Sequence, residues 1–193
     1  MIKKSIRLSA SDFQRARKCE KEWLLEKLGV KKVFMTPSMK LGLQLHHEKD
    51  LQALNLASSK VFSVDVPIRP KSVLKFNLND LEITGIPDEV LKTEKTILIS
   101  EDKTNPESNF QGYLEQLYCY GFLFSRCFEE ELKLYDLSIE LALRNVRDFS
   151  VVESKTYSPL IEKEFLERAF YLKDLLLARI EPVCCNSCSF MHS

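Results

Sequence analysis

The sequence predicts one α/β domain with a mixed sheet, and three observations carry that expectation. Apolar residues recur at helical spacing through the first 57 residues and again over 159–180. Between Lys60 and Asp102 they alternate instead, or cluster as β-branched residues. The resulting order is two helices, a run of strands, a helix, a further strand and a closing helix. At 193 residues the chain can bury a single core without a metal or disulfide staple. The expected organisation is N-terminal helices over 1–58, a core over 60–155, and a C-terminal helix with a cysteine group over 158–193.

Each element has its own local signal. The first helix is expected from about residue 10 to 28, because Ser9 and Asp12 form a Ser-x-x-Asp cap and Gly29 supplies a stop. Cys19 and Trp23 would then lie one turn apart on one face. Thr36 before Pro37 reads as a second helix start, continuing to about Ala57. Four strands follow in "KVFSVDVPI", "SVLKFNLN", "LEITGIPDEVLKT" and "TILISED". Asn105 and Pro106 break the last one, and Ser108 with Gln111 suggests a capping box opening a helix through roughly Cys127. "ELKLYDLSIELALR" reads as a strand or strand pair, and 159–180 as a long amphipathic helix stopped by Pro182.

Lys and Arg number 28, as do Asp and Glu, yet the charges are not evenly spread. Residues 1–40 hold eleven basic and four acidic side chains, a net of +7, and the remainder carries −7. That asymmetry fits one face for a polyanion and another for cations or solvent; it equally fits a solvated basic helix. No apolar stretch approaches the roughly 20 residues of a membrane span. The basic N-terminus lacks the apolar core of a signal peptide, so an intracellular, cytoplasmic protein is expected. Of the six cysteines, Cys119 and Cys127 fall inside an apolar helical segment and read as core thiols, whereas Cys19 stands near one end and Cys184, Cys185 and Cys188 near the other.

The chemistry-bearing residues lie in and around "TILISEDKTN". Acidic residues at the ends of adjacent strands can converge on one Mg²⁺ or Mn²⁺, since hard cations prefer carboxylate oxygen and retain waters that can be activated. Asp88 and Glu101 are placed to do so if their strands pair. Strand alternation puts Lys103 on the same face as Glu101, where an ammonium could position or deprotonate a water and offset charge on a phosphate. Taken alone, Glu-x-Lys also ends many ordinary strands. Gly42 lies one helical turn before His46, leaving room beside an imidazole able to ligate Mn²⁺. Gln116 and Tyr120, again one turn apart, could contact a phosphate or a base.

The ordered series Gly42-x-x-x-His46, Gly85-x-x-Asp88, Glu101-x-Lys103 and Gln116-x-x-x-Tyr120 resembles the PD-(D/E)xK nuclease superfamily, specifically its RecB-like branch. The opening "LSASDFQRARKCEKEW" and the tail "CCNSCSF" are similar to the cysteine-bearing ends of members that carry an iron-sulfur cluster, and in size and layout the chain resembles the CRISPR-associated Cas-four exonucleases. The resemblance implies a restriction-endonuclease-like core, a mixed central sheet flanked by helices. It further implies a Mg²⁺- or Mn²⁺-dependent deoxyribonuclease acting on single-stranded ends. Asp88, Glu101 and Lys103 would be catalytic, and His46, Asp88 and Glu101 metal ligands. The carbonyl of Asp102 is a further ligand candidate, its side chain being expected to point away. Gln116 and Tyr120 would support the DNA. Cys19, Cys184, Cys185 and Cys188 would hold a 4Fe-4S cluster joining the two ends of the chain. The family's last cysteine is missing, so Cys184 and His192 compete for the fourth position, and His192 would also suit Zn²⁺. The implied partner is DNA, chiefly single-stranded, with CRISPR integrase proteins and a second copy of the chain as open alternatives. The competing function is a non-catalytic module that binds DNA ends or an integrase and keeps a structural metal cluster.

Overall fold

The computed structural model describes residues 6–30 and 73–183, together with Pro37, Lys40, Leu41, Gln44 and Leu45, which are helical. The rest of the expected second helix, the "KVFSVDVPI" strand and the C-terminal cysteine group lie outside the described residues. Strand β1 (Ile6–Ser9) leads into helices α1 (Ala10–Lys18) and α2 (Glu20–Lys27). Strands β2 (Leu74–Leu78), β3 (Leu81–Gly85), β4 (Glu89–Lys92) and β5 (Thr96–Lys103) follow. A 3₁₀ turn (Pro106–Asn109) opens helix α3 (Phe110–Cys127), then come α4 (Glu129–Leu134), β6 (Ser138–Asn145), β7 (Val151–Thr156) and α5 (Pro159–Leu176).

Among the described residues the single expected sheet is two. β1 pairs parallel with β3, and β2 antiparallel, in a three-stranded sheet ordered β1-β3-β2. The second sheet runs β4-β5-β6-β7, with β5 and β6 parallel and the outer strands antiparallel. The division falls at Ile86-Pro87-Asp88. Proline has no N–H to donate to a ladder, so the backbone leaves the first sheet after Gly85 and joins the second at Glu89.

Local chemistry explains where the N-terminal helix starts and why it breaks. Asp12 accepts from the Ser9 N–H at 2.7 Å and from the Ser9 hydroxyl at 2.7 Å, the expected cap. The expected single helix is interrupted at Cys19, whose backbone is extended (φ −161°, ψ 109°) and which starts α2 as its N-cap. Cys19 therefore does not share a helical face with Trp23; its carbonyl instead accepts from the Trp23 N–H at 3.0 Å. Gly29 ends α2 with φ 74°, a conformation open to glycine. The Ser108/Gln111 box does not form: Ser108 Oγ donates to the Asn105 carbonyl at 2.8 Å and α3 starts only at Phe110. "ELKL" is helical rather than extended, because Glu129, Glu130 and Glu131 load the first turn of a short helix that buries none of its residues.

Helix α3 is the centre of the core. Leu117, Phe122 and Leu123 are fully buried, and it packs on α1, α5 and strands of both sheets. Phe122 meets Phe165 of α5 with ring centroids 5.0 Å apart, and Phe165 meets Phe13 of α1 at 4.9 Å. Cys119 is buried as expected, but Cys127 is exposed on the last turn of α3 and is not a core thiol. Among the described residues no helix is long and apolar enough to cross a membrane.

Asp12 ties α1 to α2. Buried itself, it also accepts from the Trp23 indole N–H at 2.9 Å and pairs with Lys27 at 2.7 Å. Asp12→Ala would uncap α1 and leave a buried indole N–H unbonded. The variant is expected to lose about 3 kcal/mol of unfolding free energy, read as a lower urea midpoint with an unchanged slope.

Candidate active site

The end of β5 presents its side chains to two sides of the sheet. Ile97, Ile99, Glu101 and Lys103 alternate onto one face, and Ser100 and Asp102 onto the other. On the first face Lys103 Nζ donates to Glu101 Oε1 and lies 5.0 Å from the centre of the Tyr113 ring. Glu101 is only 3% exposed, and among the described residues its Oε2 has no hydrogen-bond partner. Asp88 joins from the bend before β4: its Oδ2 accepts from the Asp102 N–H at 2.8 Å, which fixes its carboxylate against the end of β5.

Helix α3 supplies the opposite wall. Gln116 Nε2 donates to the Tyr120 hydroxyl at 2.8 Å, both side chains are buried, and Gln116 Oε1 is unpartnered among the described residues. The Tyr120 ring reaches this position only because of Gly85. A Cβ on Gly85 would lie 2.9 Å from Tyr120 Cε1 and 3.0 Å from Leu123 Cδ1, closer than side chains normally approach. The glycine of Gly85-x-x-Asp88 thus ends β3 and makes room for the tyrosine of Gln116-x-x-x-Tyr120.

The electrostatics follow from burial. Desolvation, reinforced by the negative charge of Asp88, raises the Glu101 carboxyl from 4.5 to about 8 despite the opposing ammonium of Lys103. Burial alone would lower the Lys103 pKa, but attraction to Glu101 and Asp88 outweighs it and the net shift is upward. Lys103 is therefore held as a cation, suited to binding a phosphate rather than to removing a proton from water. The Tyr120 hydroxyl is pushed well up by burial and by the Glu101 and Asp88 charges, so it remains a neutral phenol.

The structure thus brings together Asp88, Glu101, Lys103, Gln116 and Tyr120. His46, Cys184, Cys185, Cys188 and His192 lie outside the described residues, among which no three of His, Cys, Asp and Glu converge as a metal site. The Asp102 side chain sits on the far face, bound by Arg144 through Nε to Oδ1 at 2.8 Å and Nη2 to Oδ2 at 3.2 Å. Cys19 is buried, and the residue after it, Glu20, accepts from the Val183 N–H at 2.9 Å, immediately before Cys184. Two residues at this site escaped the sequence reading. Tyr113 lies one turn before Gln116, so its i, i+3 spacing was available as a signal. Arg144 gave none, because its place depends on strand register.

A divalent cation fits the donors that are present. Glu101 holds a buried carboxylate oxygen with no hydrogen-bond partner among the described residues, and Asp88 adds a second hard carboxylate at the same strand end. A cation there would offset the burial and the Asp88 charge that together raise the Glu101 pKa.

Neither family models nor curated proteins match the chain. Solved structures do. One is a protein designated an exonuclease from Eubacterium rectale, with a TM-score of 0.56 and 11% identity over 97% of this chain and 86% of that one. Another is an alkaline exonuclease from Laribacter hongkongensis, with a TM-score of 0.50 and 11% identity over 91% of this chain and 90% of that one. At such identities the likeness shows a shared fold; the word exonuclease stands in the names of these two structures.

Proposed function

We propose that the chain is a metal-dependent deoxyribonuclease of the PD-(D/E)xK, RecB-like type, hydrolysing phosphodiester bonds at single-stranded DNA ends. The observation that carries this reading is the convergence, at one strand end, of Asp88, the buried and incompletely bonded Glu101, and the cationic Lys103, facing Gln116 and Tyr120. Asp88 and Glu101 would hold Mg²⁺ or Mn²⁺, with His46 and the Asp102 carbonyl completing the set. An ion held there would supply an activated water and offset charge on the phosphate. Lys103 provides a fixed positive charge beside the phosphate oxygens, and the Tyr113 ring against its ammonium limits where that charge can go. Gln116 and the neutral Tyr120 offer polar groups to the DNA from the wall made by α3. The same reading assigns Cys19, Cys184, Cys185 and Cys188 to a 4Fe-4S cluster, supported by the bond from the Val183 N–H, one residue before Cys184, to the side chain of Glu20, one residue after Cys19.

Cleavage of end-labelled single-stranded DNA with Mn²⁺ tests the site directly. Lys103→Ala and Glu101→Gln are each expected to lower kcat by about 10²–10³-fold with an unchanged circular dichroism spectrum. Wild-type rates from both variants, or a wild-type protein that binds DNA without cutting it, would refute the catalytic assignment. Iron quantitation and the visible spectrum of anaerobically purified protein should show about four irons per chain; colourless protein loaded with zinc would sink the cluster.

The raised Glu101 pKa gives a stability signature in the metal-free protein. The folded state holds its proton more tightly than the unfolded chain does. The contribution to stability is therefore full below about pH 4.5, falls as pH rises to about 8, and is flat above that. From pH 5 to 8.5 the urea midpoint of the wild type should fall relative to that of Glu101→Gln, which lacks the titration. Mn²⁺ should raise the wild-type midpoint more at pH 8.5 than at pH 6, because the ion must displace that proton.

A further inference from the structure

We propose that Arg144 is a positioning residue for the Asp88–Glu101 pair, acting through the backbone from the opposite face of the sheet; the inference rests on the nuclease reading for what that pair binds. Parallel pairing sets Arg144 directly beside Asp102. Its guanidinium grips both Asp102 oxygens, and Nη2 also reaches Glu89 Oε2 at 2.6 Å. One cation thus ties together the start of β4, the end of β5 and β6. The two carboxylates it holds are the chain neighbours of the two proposed metal ligands, Glu89 following Asp88 and Asp102 following Glu101. A third link closes the arrangement, since the Asp102 N–H donates to Asp88 itself at 2.8 Å.

Three features favour a positioning role over a contribution to stability alone. Asp102 is fully buried, and removing charges of this kind from water costs about as much as their pairing returns, so apolar residues of similar size would serve the fold as well. The pairing of β6 with β7 shifts register between Leu143 and Arg144, a bulge of the sort that re-aims a side chain next to a functional site. The Phe149 ring, 6.0 Å from the guanidinium carbon, covers the group. A lysine could not reproduce the fork, because two planar bonds to one carboxylate and a third to another need the geometry of a guanidinium. The separation of Asp88 from Glu101 is therefore set by Arg144 through its hold on Glu89 and Asp102.

Mn²⁺ affinity of the full chain, measured by calorimetry, tests this apart from cleavage. Glu89→Gln leaves the buried Asp102–Arg144 pair intact, and Glu89→Asp keeps the charge while withdrawing the carboxylate from Arg144. Both are expected to weaken Mn²⁺ binding about tenfold, with the metal-free unfolding midpoint unchanged. Arg144→Lys should weaken it at least as much, and if that variant fails to fold the two Glu89 variants decide. If Glu89→Asp binds as the wild type does while Glu89→Gln is weaker, Glu89 acts only as a nearby charge and the inference is wrong. Wild-type affinity in all variants also overturns it. A wild-type protein that binds no Mn²⁺ refutes the nuclease reading, and this inference with it.

Discussion

The parallel pairing of β5 with β6 is the constraint on which the rest of the structure depends. A parallel neighbour cannot be reached by a tight turn, so the chain must cross over between the two strands, and α3 is the body of that crossover. Its apolar side chains have to cover one face of the sheet, and that face carries Ile97, Ile99, Glu101 and Lys103 in order. The stripe is apolar where α3 lies over it and turns to acid and lysine at the strand's end. The candidate site is therefore the edge of the hydrophobic core itself, and the low-dielectric surroundings of Glu101 follow from the fold. Gly85 belongs to the same constraint, since the missing side chain lets the Tyr120 ring reach the strand end.

The two faces at the end of β5 handle negative charge differently. On the far face Glu89 and Asp102 share an arginine whose fork bonds both oxygens of Asp102. On the near face Lys103 engages one Glu101 oxygen, and the other has no hydrogen-bond partner among the described residues. Burial outweighs the lysine, and the acid's affinity for a proton rises. A group in that state takes up either a proton or a cation, and which one depends on pH and on the metal available. The asymmetry between the faces thus distinguishes an ion pair that completes a structure from one that leaves a place for a ligand.

Much of this was legible in the sequence where the signal is local. The Ser9–Asp12 cap, the Gly29 stop, and the alternation that puts Glu101 and Lys103 on one face all depend on residues within a few positions of each other. The errors arose where tertiary structure decides. Helical spacing runs straight through Cys19, and only the packing of α1 and α2 breaks the helix there. β1 and β7 are only four and six residues long and pair along the edges that β3 and β6 offer. "ELKL" alternates like a strand, yet it directly follows α3 and stays helical. Arg144 is 42 residues from its partner Asp102, so its role appears only once the β5–β6 register is known.

The N-terminal basic region and the C-terminal segment are joined by one carboxylate. Glu20 accepts from Arg168 at 2.8 Å, from the Tyr171 hydroxyl at 2.8 Å and from the Val183 N–H at 2.9 Å. The net effect of these bonds is a lowered pKa despite the burial that opposes it, so Glu20 stays ionised and the anchor holds at neutral pH. Arg168 also bonds Glu115 on α3 at 3.3 Å, and Arg17 on α1 approaches the same carboxylate at 3.6 Å. Glu115 immediately precedes Gln116, so the network that holds Val183 at Glu20 also braces the helix turn that lines the candidate site. The extended backbone at Cys19 has its reason here as well. The break between α1 and α2 turns Glu20 toward α5, and a continuous helix through Cys19 would point that carboxylate elsewhere.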